Sequence, residues 1–288
     1  MTRFIHDQFA KDYLETLLST IGKVESPKRV AGEARQIDVA FVPSSAEGDR
    51  CAVADRAALG LLGKMATTAA IFEPFRNPVT DNEIRDCLLK LLELDGQLRR
   101  EAKRNKKALS DRDLPRLWIW TPTASDTITS EFGARDRGDW GEGIHFLANG
   151  LRTAIVAIHR LPQTPETLWL RLLGRGTVQK QAIEEFLALP ETFEYRATVL
   201  ELFYTLERYL TNTQGSAEDR ELVMRLEPLY RQERDRAIQQ GAEQKQEQIA
   251  LNMLRAEVNV NRVANFTELS LDRIIELQQQ VENENSEN

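Results

Sequence analysis

The chain has little of what staples, coordinates or anchors a protein. Of its 288 residues only two are cysteine, Cys51 and Cys87, and three are histidine, His6, His145 and His159. Two cysteines cannot form a disulfide framework, and neither lies in a CxxC pair, so nothing points to a structural zinc site. The histidines are scattered, none at metal-ligand spacing from another His or Cys. No uncharged run reaches the roughly 18 apolar residues a membrane helix needs. The opening Met-Thr-Arg-Phe-Ile-His-Asp lacks the apolar stretch of a signal peptide. The expected setting is a reducing cytoplasm, with no membrane partner. Basic excess is also missing: the net charge is −7 and the pI about 5.3. That argues against a protein that coats nucleic acid through bulk charge, but it leaves room for a small basic groove or a metal-assisted site.

What is present can build a core. Hydrophobic residues make up 41% and charged residues 29%, which places the chain among folded rather than disordered sequences. Residues 4–19 read as a helix, with Phe4, Ile5, Phe9, Tyr13, Leu14, Leu17 and Leu18 on one face and Gly22 as a stop signal. The period then changes. Ile37, Val39 and Phe41 alternate with Asp38, Ala40 and Val42 in a strand ending at Pro43. Asp38 therefore faces the same way as Ala40 and Val42, and a carboxylate on an apolar strand face needs a reason. Residues 54–67 read as helical and 69–73 as a short strand bounded by Pro74 and Pro78. Thr80 and Glu83 form a capping box. The helix behind it carries Ile84, Leu88, Leu91, Leu92 and Leu98 on one stripe and runs to about Lys107. Leu117-Trp118-Ile119-Trp120 is a buried-type strand. Residues 133–143 are a glycine- and aspartate-rich loop. Residues 151–161 suit a strand or a short buried helix.

After Pro162 the texture is helical, starting at Thr164-Pro165-Glu166 with Pro at the first helical position. Helices are expected at about 178–188, 193–210 and 217–257, the last opened by a capping box at Ser216–Asp219. A short helix at Val260–Phe266 and another after Ser270 close the chain. The expected organisation is an α/β domain over 1–163, a helical region over 164–258 and a helix–turn–helix-like tail over 259–288.

The order is helix, strand with Asp, strand with Glu, helix, strand. Asp38 and Glu73, on two strands of one sheet, would bring together two hard oxygen ligands for Mg²⁺ and leave positions open for water and phosphate. That is the arrangement of metal-assisted phosphodiester hydrolysis.

These segments also carry a resemblance. His6-Asp7-Gln8-Phe9-Ala10-Lys11 resembles the start of the recombination-promoting nuclease/putative transposase family, a branch of the PD-(D/E)XK nuclease superfamily. Arg35-Gln36-Ile37-Asp38-Val39 resembles its first metal-binding strand and Ile71-Phe72-Glu73 its second. The stretch from Val260 to Ile274 resembles its tail. Glu73–Pro78, Leu117–Thr123 and Pro165–Gly176 resemble a version common in uncharacterised cyanobacterial proteins. The resemblance implies a restriction-endonuclease-like domain with a central mixed sheet flanked by helices, followed by an all-α region. It further implies Mg²⁺ held by Asp38 and Glu73, and DNA as substrate.

One position departs from the pattern. The superfamily has a Lys two residues after the Glu, and this chain has Phe75. Arg76, Lys64 or Arg85 are the candidate replacements, with Arg76 and Lys64 placed beside Asp38 and Glu73 in the expected catalytic set. Bland readings stand beside these. Asp38 could be held by backbone, Glu73 could simply end a strand, and Asp7 suits a first helical turn. Arg99, Arg100, Lys103, Arg104, Lys106 and Lys107 suit a solvated helix end. Trp118 and Trp120 suit a core. The tail has only Arg273 against Asp272 and Glu276, too little charge for a recognition helix, so packing or homo-oligomer formation fits it better. The rival function is a nuclease fold without catalysis, kept as a dimerisation or protein-interaction module, which Phe75 favours. A third reading is a helical adaptor on an unrelated α/β domain.

Overall fold

The first apolar stripe folds into helix α1 (Thr2–Leu18). Phe9, Tyr13, Leu14, Leu17 and Leu18 are all buried along it, the one-sided pattern a 3.6-residue period produces. A computed structural model of the protein describes residues 2–29, 36–44, 55–110, 113–190, 192–193, 195–212, 217–256 and 258–286. Because α1 starts at Thr2, Asp7 lies in its second turn, not its first, and the helix dipole no longer accounts for it.

Gly22 is not the stop of α1. It opens strand β1 (Gly22–Glu25), which pairs antiparallel with β4 (Val39–Pro43). A Cβ at Gly22 would come 2.4 Å from the carbonyl oxygen of Val42 and 2.3 Å from the Phe41 ring. The glycine is required by the close approach of the two strands. Between β1 and β4, Lys28–Arg29 (β2) and Gln36–Ile37 (β3) form a separate two-stranded antiparallel ribbon. The single strand expected over 37–42 is thus broken by a bend at Asp38. The break explains why Ile37 and Ala40 belong to the same apolar cluster, which strict alternation forbids. It also shortens the apolar face, since Val42 is half exposed.

Among the described residues the main sheet has seven strands in the order β1-β4-β5-β6-β9-β8-β7. β5 (Ala70–Pro74) runs antiparallel to β4 and parallel to β6 (Arg116–Thr121). Parallel neighbours need a long crossover. Here it contains helix α3 (Asp81–Arg104), which follows α2 (Gly60–Met65) in chain order. The capping box forms: the Thr80 hydroxyl accepts from the Glu83 N–H, and the Glu83 carboxylate accepts from the Thr80 N–H. α3 ends at Arg104, short of Lys107, because Lys106 turns left-handed at φ 52°. Its buried stripe is Ile84, Cys87, Leu91 and Leu94, with Leu92 half exposed.

The loop expected at 133–143 holds a two-residue strand, β7 (Arg135–Asp136), paired with β8 (Ile144–Phe146). The ambiguous 151–161 stretch resolves into β9 (Thr153–Ala157), buried at every position between β6 and β8, and then one 3-10 turn. A central strand covered on both faces reads as a continuous apolar run, so periodicity could not separate it from a helix. Leu117, Ile119 and Ile155 face the cluster under α3. Phe72, Trp118 and Trp120 occupy the other face, and both tryptophans are buried.

After β6 comes the short helix α4 (Asp126–Glu131), and Thr164-Pro165-Glu166 starts a 3-10 turn, Pro165–Thr167, before the short α5 (Leu168–Arg171). The helices α6 (Gly176–Leu187), α7 (Arg196–Thr211), α8 (Ala217–Arg255), α9 (Val260–Thr267) and α10 (Leu271–Ser286) follow. Tyr13 on α1 donates to the Trp169 carbonyl at 2.9 Å, and the rings of Phe9 and Phe203 lie 5.2 Å apart. Ser216, the expected cap of α8, lies outside the described residues. By its contacts the chain divides into two units, Met1–Val223 and Met224–Asn288. In the second, Ala250, Leu254, Val263, Ile274 and Leu277 form a small core of their own. Among the described residues no helix is long and apolar enough to cross a membrane.

Substituting Gly22→Ala is expected to cost about 1–3 kcal/mol through overpacking at the β1–β4 contact. Urea denaturation of the variant checks this, and an unchanged midpoint would contradict it.

Candidate functional site

The strand register positions the two carboxylates. Val39 pairs with Phe72 and Ala40 with Ile71, so one step further along both chains sets Asp38 opposite Glu73. Glu73 shares its strand face with Ile71, which packs in the cluster under α3. The Asp38 N–H lies 3.4 Å from Glu73 Oε1, donating to it. Glu73 is only 1% exposed. A bare carboxylate there would be costly, and α3 supplies its partner: Lys90 Nζ lies 2.8 Å from Glu73 Oε2. From the other side α1 contributes Asp7 and Lys11. Lys11 Nζ is 2.8 Å from Asp7 Oδ2 and 2.8 Å from Asp38 Oδ1. Asp7, Asp38, Glu73 and Lys90 line one cavity of about 520 Å³, together with His6, Arg76 and Trp120.

The charges are strongly perturbed. Burial, and after it the Asp38 carboxylate, push the Glu73 pKa up to about 8, and Lys90 offsets this only in part. Burial works against the Lys90 ammonium, but Glu73 outweighs it and the lysine's pKa is raised. Lys11 behaves alike: burial opposes its charge, while hydrogen bonds to Asp38 and Asp7 outweigh that and raise its pKa. Cys87, one turn before Lys90, is no nucleophile, because burial and then Glu73 hold its thiol far above the usual range. Elsewhere on the cavity wall, His6 Nε2 lies 2.7 Å from Asp219 Oδ1, and Arg76 Nη2 lies 3.7 Å from the same oxygen. Burial and then Arg76 lower the His6 pKa.

Of the residues expected at the site, Asp38 and Glu73 come together. Arg76 reaches the same cavity, but its guanidinium is directed to Asp219 and, at 3.4 Å, to the Gly174 carbonyl. Lys64 lies elsewhere. It donates to the Asp139 carbonyl, sits 4.2 Å above the Trp140 ring and lines a second cavity. Arg85 pairs on the surface with Asp81 at 2.5 Å. Phe75 packs against the apolar cluster under α3. Sequence reasoning missed Lys90 and Lys11. The six cations from Arg99 to Lys107 are exposed, and Arg273 is engaged with Glu247 and Glu276, each at 2.7 Å.

Among the described residues no three His, Cys, Asp or Glu side chains gather around one point as a metal cage. Mg²⁺ does not need one. It commonly binds through one or two carboxylates and keeps water or phosphate in its remaining positions. The hard-oxygen pair of Asp38 and Glu73 fits that demand, and a divalent cation would relieve the repulsion from Asp38 that adds to burial in raising the Glu73 pKa. No protein-family model matches the sequence, no curated protein matches it, and no solved structure matches the fold.

The raised Glu73 pKa sets a pH dependence. The folded state keeps a proton that the unfolded chain releases near the ordinary value of 4.5. The associated stability is full below that value and is lost as pH rises through about 8. Melting temperature should therefore fall between pH 5 and 8, by about 2–4 °C for each kcal/mol lost, and Glu73→Gln should flatten the slope. Calorimetric melts across that range check it. Equal slopes in both proteins would refute the assignment.

Proposed function

We propose that this protein is a metal-dependent DNA endonuclease of the PD-(D/E)XK kind, with Asp38 and Glu73 as the metal ligands and Lys90 as the cation of the site. The observation that carries the reading is the convergence of Asp38, Glu73 and Lys90 in one cavity. The element order supports it too: a helix, an Asp strand, a Glu strand, a helix and a strand in one mixed sheet. Phe75 leaves the customary lysine position empty of charge, and Lys90 brings an ammonium to the same carboxylate from the helix instead.

Asp38 and Glu73 would hold the Mg²⁺ ion, which would supply Lewis-acid chemistry toward the scissile phosphate. Lys90 has three N–H donors. One is directed to Glu73, and the others are free in direction to meet a phosphoryl oxygen or hold the attacking water. Trp120 and Phe75 give the cavity an apolar stretch of wall, and apolar surroundings strengthen such interactions. Arg76, tied to Asp219 and Gly174, fixes the wall.

A second reading has an observation of its own. Phe75 is built into the apolar cluster, and both carboxylates already carry a lysine partner. A charge-balanced site of this kind suits a nuclease fold retained without catalysis, as a module for binding another protein or a second copy of the chain.

Cleavage of supercoiled plasmid in Mg²⁺ or Mn²⁺ separates the two. The wild type should nick. Asp38→Ala and Glu73→Ala should abolish nicking, Lys90→Ala should slow it by on the order of 10²–10³, and Lys64→Ala should leave it unchanged. No nicking, or nicking that survives the carboxylate substitutions, would establish the non-catalytic reading.

A further inference from the structure

We propose that Lys11 is the resident counter-cation of the carboxylate pair: it neutralises Asp38 while no divalent ion is bound, opposes the entry of that ion, and is taken over by Asp7 when the ion binds. The inference rests on the metal reading of Asp38 and Glu73. It concerns how this chain sets the affinity of that site.

The geometry gives each carboxylate of the pair its own lysine. Lys90 belongs to Glu73 and Lys11 to Asp38, both at 2.8 Å. The two lysines differ in their alternatives. Lys90 lies between the buried Cys87 and Leu94 on α3, and its carboxylate partner is Glu73. Lys11 already holds a second acceptor. Asp7 stands one turn back on the same helix, at the i,i+4 spacing and with the acid N-terminal to the base, the favoured order. Its side chain is 35% exposed against 19% for Asp38. When Asp38 is engaged by a divalent ion, Lys11 can shift its weight to Asp7 without becoming an unpaired buried charge, the outcome that would otherwise forbid the exchange. The flexible four-carbon stem of lysine permits that shift.

Lys11 is also not among the residues lining the cavity, whereas Asp7 and Asp38 are. It reaches the cavity only through its contacts to Asp7 and Asp38 and is a positioning residue that acts through Asp38. Partners behind a metal ligand commonly change affinity by about 10–100-fold. Such partners usually strengthen binding because they are acceptors or orient the ligand. Here the partner is a cation within a few ångströms of the incoming charge, so the sign reverses.

The experiment is Mn²⁺ binding to the full-length protein, read by the electron paramagnetic resonance signal of free Mn²⁺. Lys11→Met and Lys11→Gln are compared with the wild type, and Asp38→Ala identifies the site. Glutamine keeps a hydrogen-bond donor and removes only the charge. The expected result is Mn²⁺ binding tighter by on the order of tenfold in both Lys11 variants. Asp7→Asn should weaken binding in the wild-type background and have no effect on top of Lys11→Gln, as required if Asp7 acts through Lys11. Melting curves without metal confirm that each variant is folded. If both Lys11 variants fail to fold, the Asp7→Asn result alone decides, and unchanged affinity there overturns the proposal. Equal or weaker binding in the Lys11 variants, with wild-type binding intact, overturns the counter-cation role and leaves the metal site standing. No Asp38-dependent binding in any of these proteins overturns both.

Discussion

The carboxylate of Glu73 has to be kept in a place that rejects it. It lies on a central strand, under a helix, among Ile71, Cys87 and Leu91, and a second carboxylate faces it across the β4–β5 pairing. Most of the surrounding structure can be understood as what that situation requires. The break at Asp38 turns its N–H toward Glu73. Helix α3 is held in register by its capping box, so that its third turn delivers Lys90. Helix α1 brings a second ammonium to the other carboxylate. A site that concentrates negative charge in an apolar sheet is unstable unless cations are built in, and the chain builds in two.

The same requirement separates the roles of the other polar residues. His6, Asp219 and Arg76 are linked on the cavity wall, with the histidine pKa held down. They tie the start of α8 to α1 and to the end of β5, and so give the cavity a rigid side. In the second unit, Arg273 is held between Glu247 and Glu276. The same unit holds the small apolar core of Ala250, Leu254, Val263, Ile274 and Leu277.

The two carboxylates were legible because they broke a pattern. A charge within Ile-Asp-Val-Ala-Phe and another after Ala-Ala-Ile-Phe stand out against β periodicity, as does the capping box at Thr80. Lys90 was hidden by a rotation error. Counting Leu88, Leu92 and Leu98 into the α3 stripe centres it about 50° away from the stripe of Ile84, Cys87, Leu91 and Leu94 that is buried, taking about 100° per residue. On the first centre Lys90 points to solvent. On the second it borders the core, where a lysine needs a carboxylate. The short strands β1, β7 and β8 left no trace, because two to four residues such as Gly-Lys-Val-Glu cannot show an alternation. The bend at Asp38 was invisible for the opposite reason: its flanks alternate so regularly that one strand was the simpler reading.

Phe75 gives the site its individuality. Its half-buried ring packs against the apolar cluster under α3 and also lines the cavity, so a lysine placed there would exchange an apolar contact for a third ammonium beside the two carboxylates. With an apolar ring at that strand position, the ammonium that reaches Glu73 comes from α3 instead. A search template that demands the cation two residues beyond the glutamate would pass over this chain, because the cation sits 17 residues downstream. The link between this carboxylate and its ammonium exists in space and leaves no mark in local spacing.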